Sequence, residues 1–165
     1  MVILGVDPGI ALTGYGVVQV KPALRVLGFG AIETTPALTI AERLERLFNG
    51  LSEIIQHYQP TELAVEELFF NRNTRTAITV GQARGVIILA AARAGLAIHE
   101  YTPLEVKQAV VGYGRAEKRQ VQLMVRSLLG LPQIPKPDDV ADALAIAVCH
   151  AHSYRLKQTL MERNQ

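Results

Sequence analysis

Acidic side chains end or interrupt apolar segments at four places in this chain. Asp7 follows the apolar run 2–6, Glu66 ends a second apolar run, and Asp139 and Asp142 lie one turn apart in a segment suited to a buried helix. An unpartnered buried charge is very costly, so each carboxylate must be solvated, paired or bound to a metal ion. If they converge at one edge of a sheet, these acids form an oxygen-only site for a hard dication such as Mg²⁺.

Length and composition predict a single domain over residues 1–155 and a polar tail over 156–165 that frays. Apolar residues make up 49% of the chain, which excludes general disorder. The apolar run 86–92 is too short to cross a bilayer, and no secretory leader precedes the first strand. The single cysteine, Cys149, excludes an internal disulfide and offers no zinc spacing. We expect a soluble, cytoplasmic protein with no membrane partner.

Positive charge is concentrated in one part of the sequence. Residues 71–136 contain ten Lys or Arg and three Glu, a surplus of seven positive charges in a chain whose net charge is +2. The remainder, which holds the four acids, is therefore net negative. This distribution suits a polyanion that is held by one part of the protein and cut at another. The alternative is a solvated basic face spread over several helices.

The order of predicted elements indicates a mixed five-stranded α/β sheet with helices on both faces. Three antiparallel strands come first, over residues 2–6, 13–20 and 24–35. A helix then follows a capping box at Thr39–Glu42 and ends at Pro60. Two further strands are predicted over 63–66 and 97–101, and further helices over about 76–94, 103–111, 116–129 and 139–154.

Both strand-end acids admit a second interpretation. The tripeptide 7–9, Asp-Pro-Gly, lets backbone approach a ligand, but it is also an ordinary turn. Glu66 and Glu67 point to opposite faces of their strand, so either could enter a site while the other stays in solvent. The aromatic pair 69–70 follows in a polar loop, where it either has a function or anchors the loop by one buried Phe.

The acids of the last helix are the sharpest signal. Asp139 and Asp142 share a helix face and can bind one ion, and Asp138 and Asp142 are spaced to do so too. Asp138 could instead be the N-cap. Acids in the first turn of a helix also interact favourably with the helix dipole, but Asp142 lies too far inside the helix for this explanation. His150 and His152 diverge on the same helix, and either could approach the site from beyond Asp142.

Two glycine pairs suggest joints or contacts. The segment 112–114 lacks the Lys-Ser/Thr ending of a phosphate-binding loop, so we interpret it as a flexible joint. It would bring three basic residues towards phosphates: Arg115, Lys118 and Arg119. The pair at 81 and 85 permits close helix packing, either within the chain or in a dimer.

Short motifs occur in a fixed order along nearly the whole chain. They are Leu4-Gly-Val-Asp-Pro-Gly-Ile, Thr13-Gly-Tyr-Gly-Val, Ala64-Val-Glu-Glu-Leu-Phe, Gly81-Gln-Ala-Arg-Gly-Val, Val106-Lys-Gln-Ala-Val-Val-Gly, Ala116-Glu-Lys-Arg-Gln-Val-Gln and Asp142-Ala-Leu-Ala-Ile-Ala. In this order and at these spacings they resemble the RuvC family of Holliday-junction resolvases.

The resemblance implies a ribonuclease-H-like fold and a homodimer that nicks two opposed strands of a four-way DNA junction in recombination and repair. It also implies a branch-migration helicase complex as a partner. The family's catalytic carboxylates match Asp7, Glu66, Asp139 and Asp142, which favours Glu66 over Glu67 and Asp139 over Asp138. Asp138, immediately before Asp139, is a local departure that could compete as a ligand.

Further residue roles follow from the same resemblance. Two functional lysines match Lys107 and Lys118, and the aromatic at the junction centre matches Phe69. The resulting hypothesis is hydrolysis with two Mg²⁺ ions, for which Mn²⁺ may substitute, roughly 3.5–4 Å apart. Lys118 would stabilise charge on the scissile phosphate and Lys107 would hold a neighbouring one. The remaining backbone contacts would come from Arg72, Arg75, Arg115 and Arg119.

Two other classes of protein remain open at this point. An actin-like ATPase also has an Asp-x-Gly turn after its first strand, although this chain is short for the second domain such proteins need. A junction-binding scaffold without catalysis is the other class. Four intact carboxylates argue against it, because negative charge near phosphates weakens binding.

Overall fold

The chain folds around one five-stranded sheet, seen in a computed structural model that describes residues 1–67 and 74–163. The strands are β1 (Val2–Asp7), β2 (Leu12–Gln19), β3 (Arg25–Glu33), β4 (Glu62–Glu66) and β5 (Ala97–Tyr101). The helices are α1 (Ile40–Tyr58), α2 (Thr74–Arg93), α3 (Pro103–Val111), α4 (Lys118–Leu128) and α5 (Asp138–Arg163). This ribonuclease-H-like architecture confirms the predicted fold class.

The sheet is mixed, with the order β3-β2-β1-β4-β5. The first three strands are antiparallel neighbours, as predicted. Strand β4 pairs in parallel with β1, and β5 pairs in parallel with β4. Parallel pairing requires crossover connections, and α1 and α2 supply them. The carboxyl ends of β1, β4 and β5 therefore meet at one edge of the sheet.

Helices cover both faces of the sheet. On one face, the apolar stripe of α1 and the inner residues of α2 pack against side chains such as Leu4 and Leu63. On the other face, α5 packs on β1 and β2, and α3 and α4 lie over it. Ile3 and Ala64 point into this second core.

Helix α5 is buried on nearly every side over residues 140–151. The predicted inner-face residues Ala141, Leu144, Ala145, Val148 and Cys149 are buried, and so are the residues between them except Asp142, which is partly exposed. A helix that is apolar all round belongs in the middle of a fold, and here the sheet and α3–α4 enclose it. The helix also continues to Arg163, past the expected end at residue 154, because no Gly or Pro interrupts it.

Local capping signals set several helix starts. Thr39 and Thr102 each form the expected capping box, with Glu42 and Glu105 respectively. Helix α4 begins at Lys118 rather than at Ala116, because Glu117 takes the N-cap conformation. Among the helices the structure describes, none is long and apolar enough to cross a membrane.

Candidate active site

The first half of the site lies where two parallel strands end side by side. Asp7 is the last residue of β1 and Glu66 is the last residue of β4. The register pairs Gly5 with Ala64, and both of these residues lie two positions before their acids. Because side chains alternate along a strand, Asp7 and Glu66 share the sheet face that α5 covers. Glu67 lies beyond the strand and is exposed.

The second half of the site is the start of α5, which approaches the sheet unusually closely. A methyl group built on Gly14 would lie 2.1 Å from the carbonyl oxygen of Asp139, and one on Gly5 would lie 2.3 Å from that of Ala143. Only glycine permits this approach. It brings the start of α5, with Asp139 in the first turn and Asp142 in the next, against Asp7.

Electrostatics confirm that these acids crowd one another. Burial raises the pKa of Asp7 to about 8, and the negative charges of Asp142, Glu66 and Asp139 add to the effect. Burial also raises the pKa of Glu66 and of Asp142. Clustered carboxylates that resist ionisation are typical of sites that need a cation.

Two lysines face the cluster. Lys118, in the first turn of α4, holds its Nζ 2.9 Å from Asp142 Oδ2, and this contact raises the lysine pKa. The charge of Lys107, on α3, opposes the rise in the Glu66 pKa. Both lysines line a cleft of about 240 Å³ together with Glu66 and Asp142. A phosphate that enters this cleft would meet both ammonium groups.

The turn after Asp7 is held by Thr13. The buried Thr13 hydroxyl donates to the Gly9 carbonyl at 2.5 Å and accepts weakly from the Gly9 amide at 3.4 Å. This fixes the loop that follows Asp7 against the start of β2. The Asp-Pro-Gly turn therefore belongs to a rigid wall of the site.

Asp138 has a different environment from Asp139. Its carboxylate lies 2.8 Å from Lys136 Nζ and 3.6 Å from Lys118 Nζ, and these cations lower its pKa. Asp138 is thus an ion-paired acid at the rim. Asp139, by contrast, is among the acids whose charge raises the pKa of Asp7.

The structure describes only some of the residues expected to contact DNA. Arg115, in the loop between α3 and α4, and Arg119, in α4, are exposed beside Lys118. Phe69 and Arg72 lie outside the described residues, and so does the side chain of Arg75. His150 contacts Glu62 and Tyr101, and His152 contacts the Ala109 carbonyl, so neither joins the carboxylate cluster.

The structure adds a residue that sequence reasoning did not single out. Arg84, on α2, donates from Nε to the backbone carbonyl of Glu66 at 3.2 Å and forms an ion pair with Glu100. It therefore fixes the end of β4 from the opposite side of the sheet. Only its place in the motif Gly81-Gln-Ala-Arg-Gly-Val hinted at a role.

The residues present fit a hard divalent cation. Asp7, Glu66, Asp139 and Asp142 offer carboxylate oxygens only, the ligands that Mg²⁺ and Mn²⁺ prefer. Burial and the repulsion between these acids raise the pKa of Asp7, and a bound cation would offset both costs of ionisation.

Comparison with known proteins agrees with this geometry. Residues 3–150 match the family described as crossover junction endodeoxyribonuclease RuvC. RuvC of Heliobacterium modesticaldum is 65% identical over 154 residues, which cover 93% of this chain and 95% of that protein. Thermus thermophilus RuvC in complex with Holliday junction substrate has a TM-score of 0.91 at 43% identity, covering 95% of this chain and 96% of that one.

A more distant structure shows how far the fold extends. The yeast mitochondrial Holliday junction resolvase Ydc2 has a TM-score of 0.64 at 13% identity, covering 94% of this chain and 82% of its own. That likeness concerns the fold alone. The family match and the close relatives confirm the resemblance read from the motifs: the chain belongs to the RuvC family and is a crossover junction endodeoxyribonuclease.

Proposed function

We propose that Asp7, Glu66, Asp139 and Asp142 form the catalytic metal site, and that it takes two Mg²⁺ ions or, in their place, Mn²⁺. The observation that carries this proposal is the convergence of the four acids at the ends of β1 and β4 and the start of α5, where burial and the three neighbouring acids raise the pKa of Asp7 to about 8. A bound cation would lower the pKa of a water ligand and stabilise charge on the departing oxygen of a phosphodiester.

Lys118 and Lys107 are the proposed phosphate-binding groups. The Lys118 ammonium lies 2.9 Å from Asp142, and this ion pair holds it at the edge of the cluster. There it can neutralise charge that develops on the phosphate under attack. Lys107 lines the same cleft from α3 and would hold an adjacent phosphate as a point charge.

The substrate we propose is a four-way DNA junction, nicked at two symmetric positions during recombination and repair. The Thermus thermophilus relative, whose structure contains a Holliday junction substrate, supports this. Arg115 and Arg119 would contact backbone beside the cleft. We assign Arg72 and Arg75 to backbone contacts too, and Phe69 to base stacking at the crossover.

A homodimer is the assembly we propose, because paired nicks require two equivalent sites. The outer face of α2 supports this. Ile78 and Leu89 are 61% and 52% exposed and lie three helical turns apart on the same stripe as Gly85. An added methyl on Gly85 would meet no atom of the described residues within 4 Å, which is compatible with a second copy packing there.

Two finer expectations belong to the same proposal. The branch-migration helicase complex is the partner that would deliver junctions to the dimer. Because the proposed substrate is DNA, we also assign the activity to the cytoplasm.

The decisive assay compares a synthetic four-way junction with a linear duplex, each with Mg²⁺ or with a chelator. Symmetric nicks in the junction that require Mg²⁺ are the expected result. Junction binding without nicks under any metal would favour a scaffold, and ATP hydrolysis without DNA would favour an ATPase. Asp7→Asn is the matched variant, because it keeps the side-chain volume while it removes a negative ligand.

A further inference from the structure

A second group of metal-binding side chains lies on the same face of the sheet as the active site. Glu62 begins β4, His99 is the middle residue of β5, and His150 lies in the buried part of α5. One donor atom from each can be chosen so that all three lie within 4.8 Å of one another. His150 follows Asp142 by eight residues, or about 12 Å along the helix, so this cluster is separate from the catalytic carboxylates.

The three side chains already converge on one atom. His150 Nε2 lies 2.5 Å from Glu62 Oε2, and His99 Nε2 lies 3.0 Å from the same oxygen. The two imidazole rings stack with their centres 4.2 Å apart. Three donors bound tetrahedrally at about 2.0–2.1 Å from a zinc ion lie roughly 3.3–3.5 Å apart. Small side-chain adjustments would therefore create a coordination site.

We propose that Glu62, His99 and His150 bind a transition-metal dication, for which Zn²⁺ is the simplest probe. Two imidazole nitrogens and one carboxylate oxygen are the donors that Zn²⁺, Co²⁺ and Ni²⁺ favour, whereas Mg²⁺ prefers oxygen alone. The cluster thus differs in chemistry from the four-carboxylate site. Three protein ligands leave a fourth position for water.

Tyr101 supplies the outer contact that such a site requires. Its hydroxyl lies 2.6 Å from Nδ1 of His150, on the side of the ring away from Glu62. When Nε2 donates to the carboxylate, Nδ1 accepts from the tyrosine; when Nε2 binds a metal, Nδ1 carries the proton and donates to the same oxygen. A hydroxyl can serve both tautomers, so the ring keeps its orientation in either state.

The ion would add a coordinate link between α5 and the sheet. His150 is 3% exposed and comes from α5, while Glu62 and His99 come from neighbouring parallel strands. A metal bound to all three therefore links the helix that carries Asp142 to the edge of the sheet. Because it binds only the folded chain, the ion should raise the melting temperature.

The test is titration of the metal-free protein with Co²⁺ and Zn²⁺ in excess Mg²⁺, which occupies the oxygen-only site. We expect one equivalent of Co²⁺ to give the intense visible absorption of tetrahedral coordination, and Zn²⁺ to displace it and raise the melting temperature by several degrees. His99→Asn, at a half-exposed ligand, should abolish both signals. Tyr101→Phe should keep the stoichiometry but weaken affinity by about 10–100-fold.

His57→Asn is the matched control, because His57 is an exposed histidine on α1, and it should behave as the native protein. Glu62→Gln provides a second ligand variant that retains the hydrogen-bonding shape of the side chain. Circular dichroism establishes that each variant is folded before titration. The proposal is overturned if the native protein binds no Co²⁺ tetrahedrally, or if folded His99→Asn and Glu62→Gln both bind it with native affinity.

Discussion

Asp7 is the residue on which the carboxylate cluster acts most strongly. Its pKa is about 8 in the folded chain, against an ordinary value of 3.8. Between these two values the folded state holds a proton that the unfolded state has released, so the stability of the metal-free protein falls as pH rises. A bound cation reverses this trend, because it favours the ionised form.

Asp7→Asn should therefore raise the stability of the metal-free protein while it abolishes cleavage. One pKa unit corresponds to about 1.4 kcal/mol, so the gain at pH 8 should be on the order of a few kcal/mol and should shrink towards pH 4. Melting curves with a chelator, recorded across this pH window, measure it. Junction binding should be kept or strengthened, because a negative charge near phosphates is gone.

Magnesium is the control for that experiment. Addition of Mg²⁺ should raise the melting temperature of the native protein and leave Asp7→Asn nearly unchanged. Equal stabilisation of both proteins, or a native cleavage rate in the variant, would contradict the metal-site proposal.

Substitution of Lys118 tests whether this residue contributes to the cleavage rate or only to junction affinity. Lys118→Ala removes the ammonium beside Asp142, and we expect the single-turnover cleavage rate to fall by about 10²–10³-fold, with a much smaller loss of junction affinity. Lys136→Ala is the matched control, since that lysine pairs with Asp138 at the rim. Equal losses of rate and affinity in Lys118→Ala would reduce Lys118 to a backbone contact.

Individual residues differed in how far the sequence could reveal them. An acid that ends or interrupts an apolar run has few explanations, so the sequence drew attention to the four carboxylates, but the choice of Glu66 over Glu67 and of Asp139 over Asp138 depended on the family resemblance. Arg84 did not, because a basic residue on a helix surface is ordinary until its contact with the Glu66 carbonyl is seen. The Glu62–His99–His150 group was also hidden, since its members are 37 and 51 residues apart in sequence and meet only across the sheet.

Among the elements, local signals predicted the starts of α1 and α3 and the bounds of β5. These depend on caps and turns, which act over three or four residues. The enclosure of α5 between the sheet and α3–α4 depends on tertiary packing, and no local pattern reveals it. Local patterns do not reveal the parallel pairing of β4 with β1 either, although this pairing places Asp7 beside Glu66.

The contact between β2 and the start of α5 gives a prediction for elements. Gly14→Ala would place a methyl group against the Asp139 carbonyl, so the helix must shift and carry Asp139 and Asp142 away from Asp7. We expect the free energy of unfolding to fall by roughly 1–3 kcal/mol. The cleavage rate should fall by a larger proportion than the free energy of unfolding does. Urea unfolding and the junction assay measure the two effects.

Gly50→Ala is the control for the Gly14 variant. The nearest atoms to its added methyl belong to the Ile32 side chain at 3.1 Å, on the face of the sheet opposite α5. Cleavage by Gly50→Ala should stay near the native rate. Native activity in Gly14→Ala would show that the close approach of α5 is not needed for the site.

For the whole molecule, the exposed stripe of α2 predicts how two copies meet. Leu89→Glu should convert a dimer into a monomer by burying a charge at the interface, while the fold is kept. Analytical ultracentrifugation measures the change, and paired nicks on one junction should give way to single, uncoupled nicks. Leu156→Glu changes a leucine on α5 that is 62% exposed, more than Leu89, and this variant should remain dimeric. If the Leu89→Glu protein is still a dimer, the dimer interface does not include this stripe of α2.

The close packing of α5 on β1 has a consequence for the order in which the enzyme is made. Asp7 is synthesised 132 residues before Asp139 (139 − 7 = 132), and Asp142 follows three residues later. No nascent chain that lacks α5 can assemble all four carboxylates. Because we propose that these four carboxylates hold the catalytic metal ions, we expect no DNA cleavage by a nascent chain until α5 has been made.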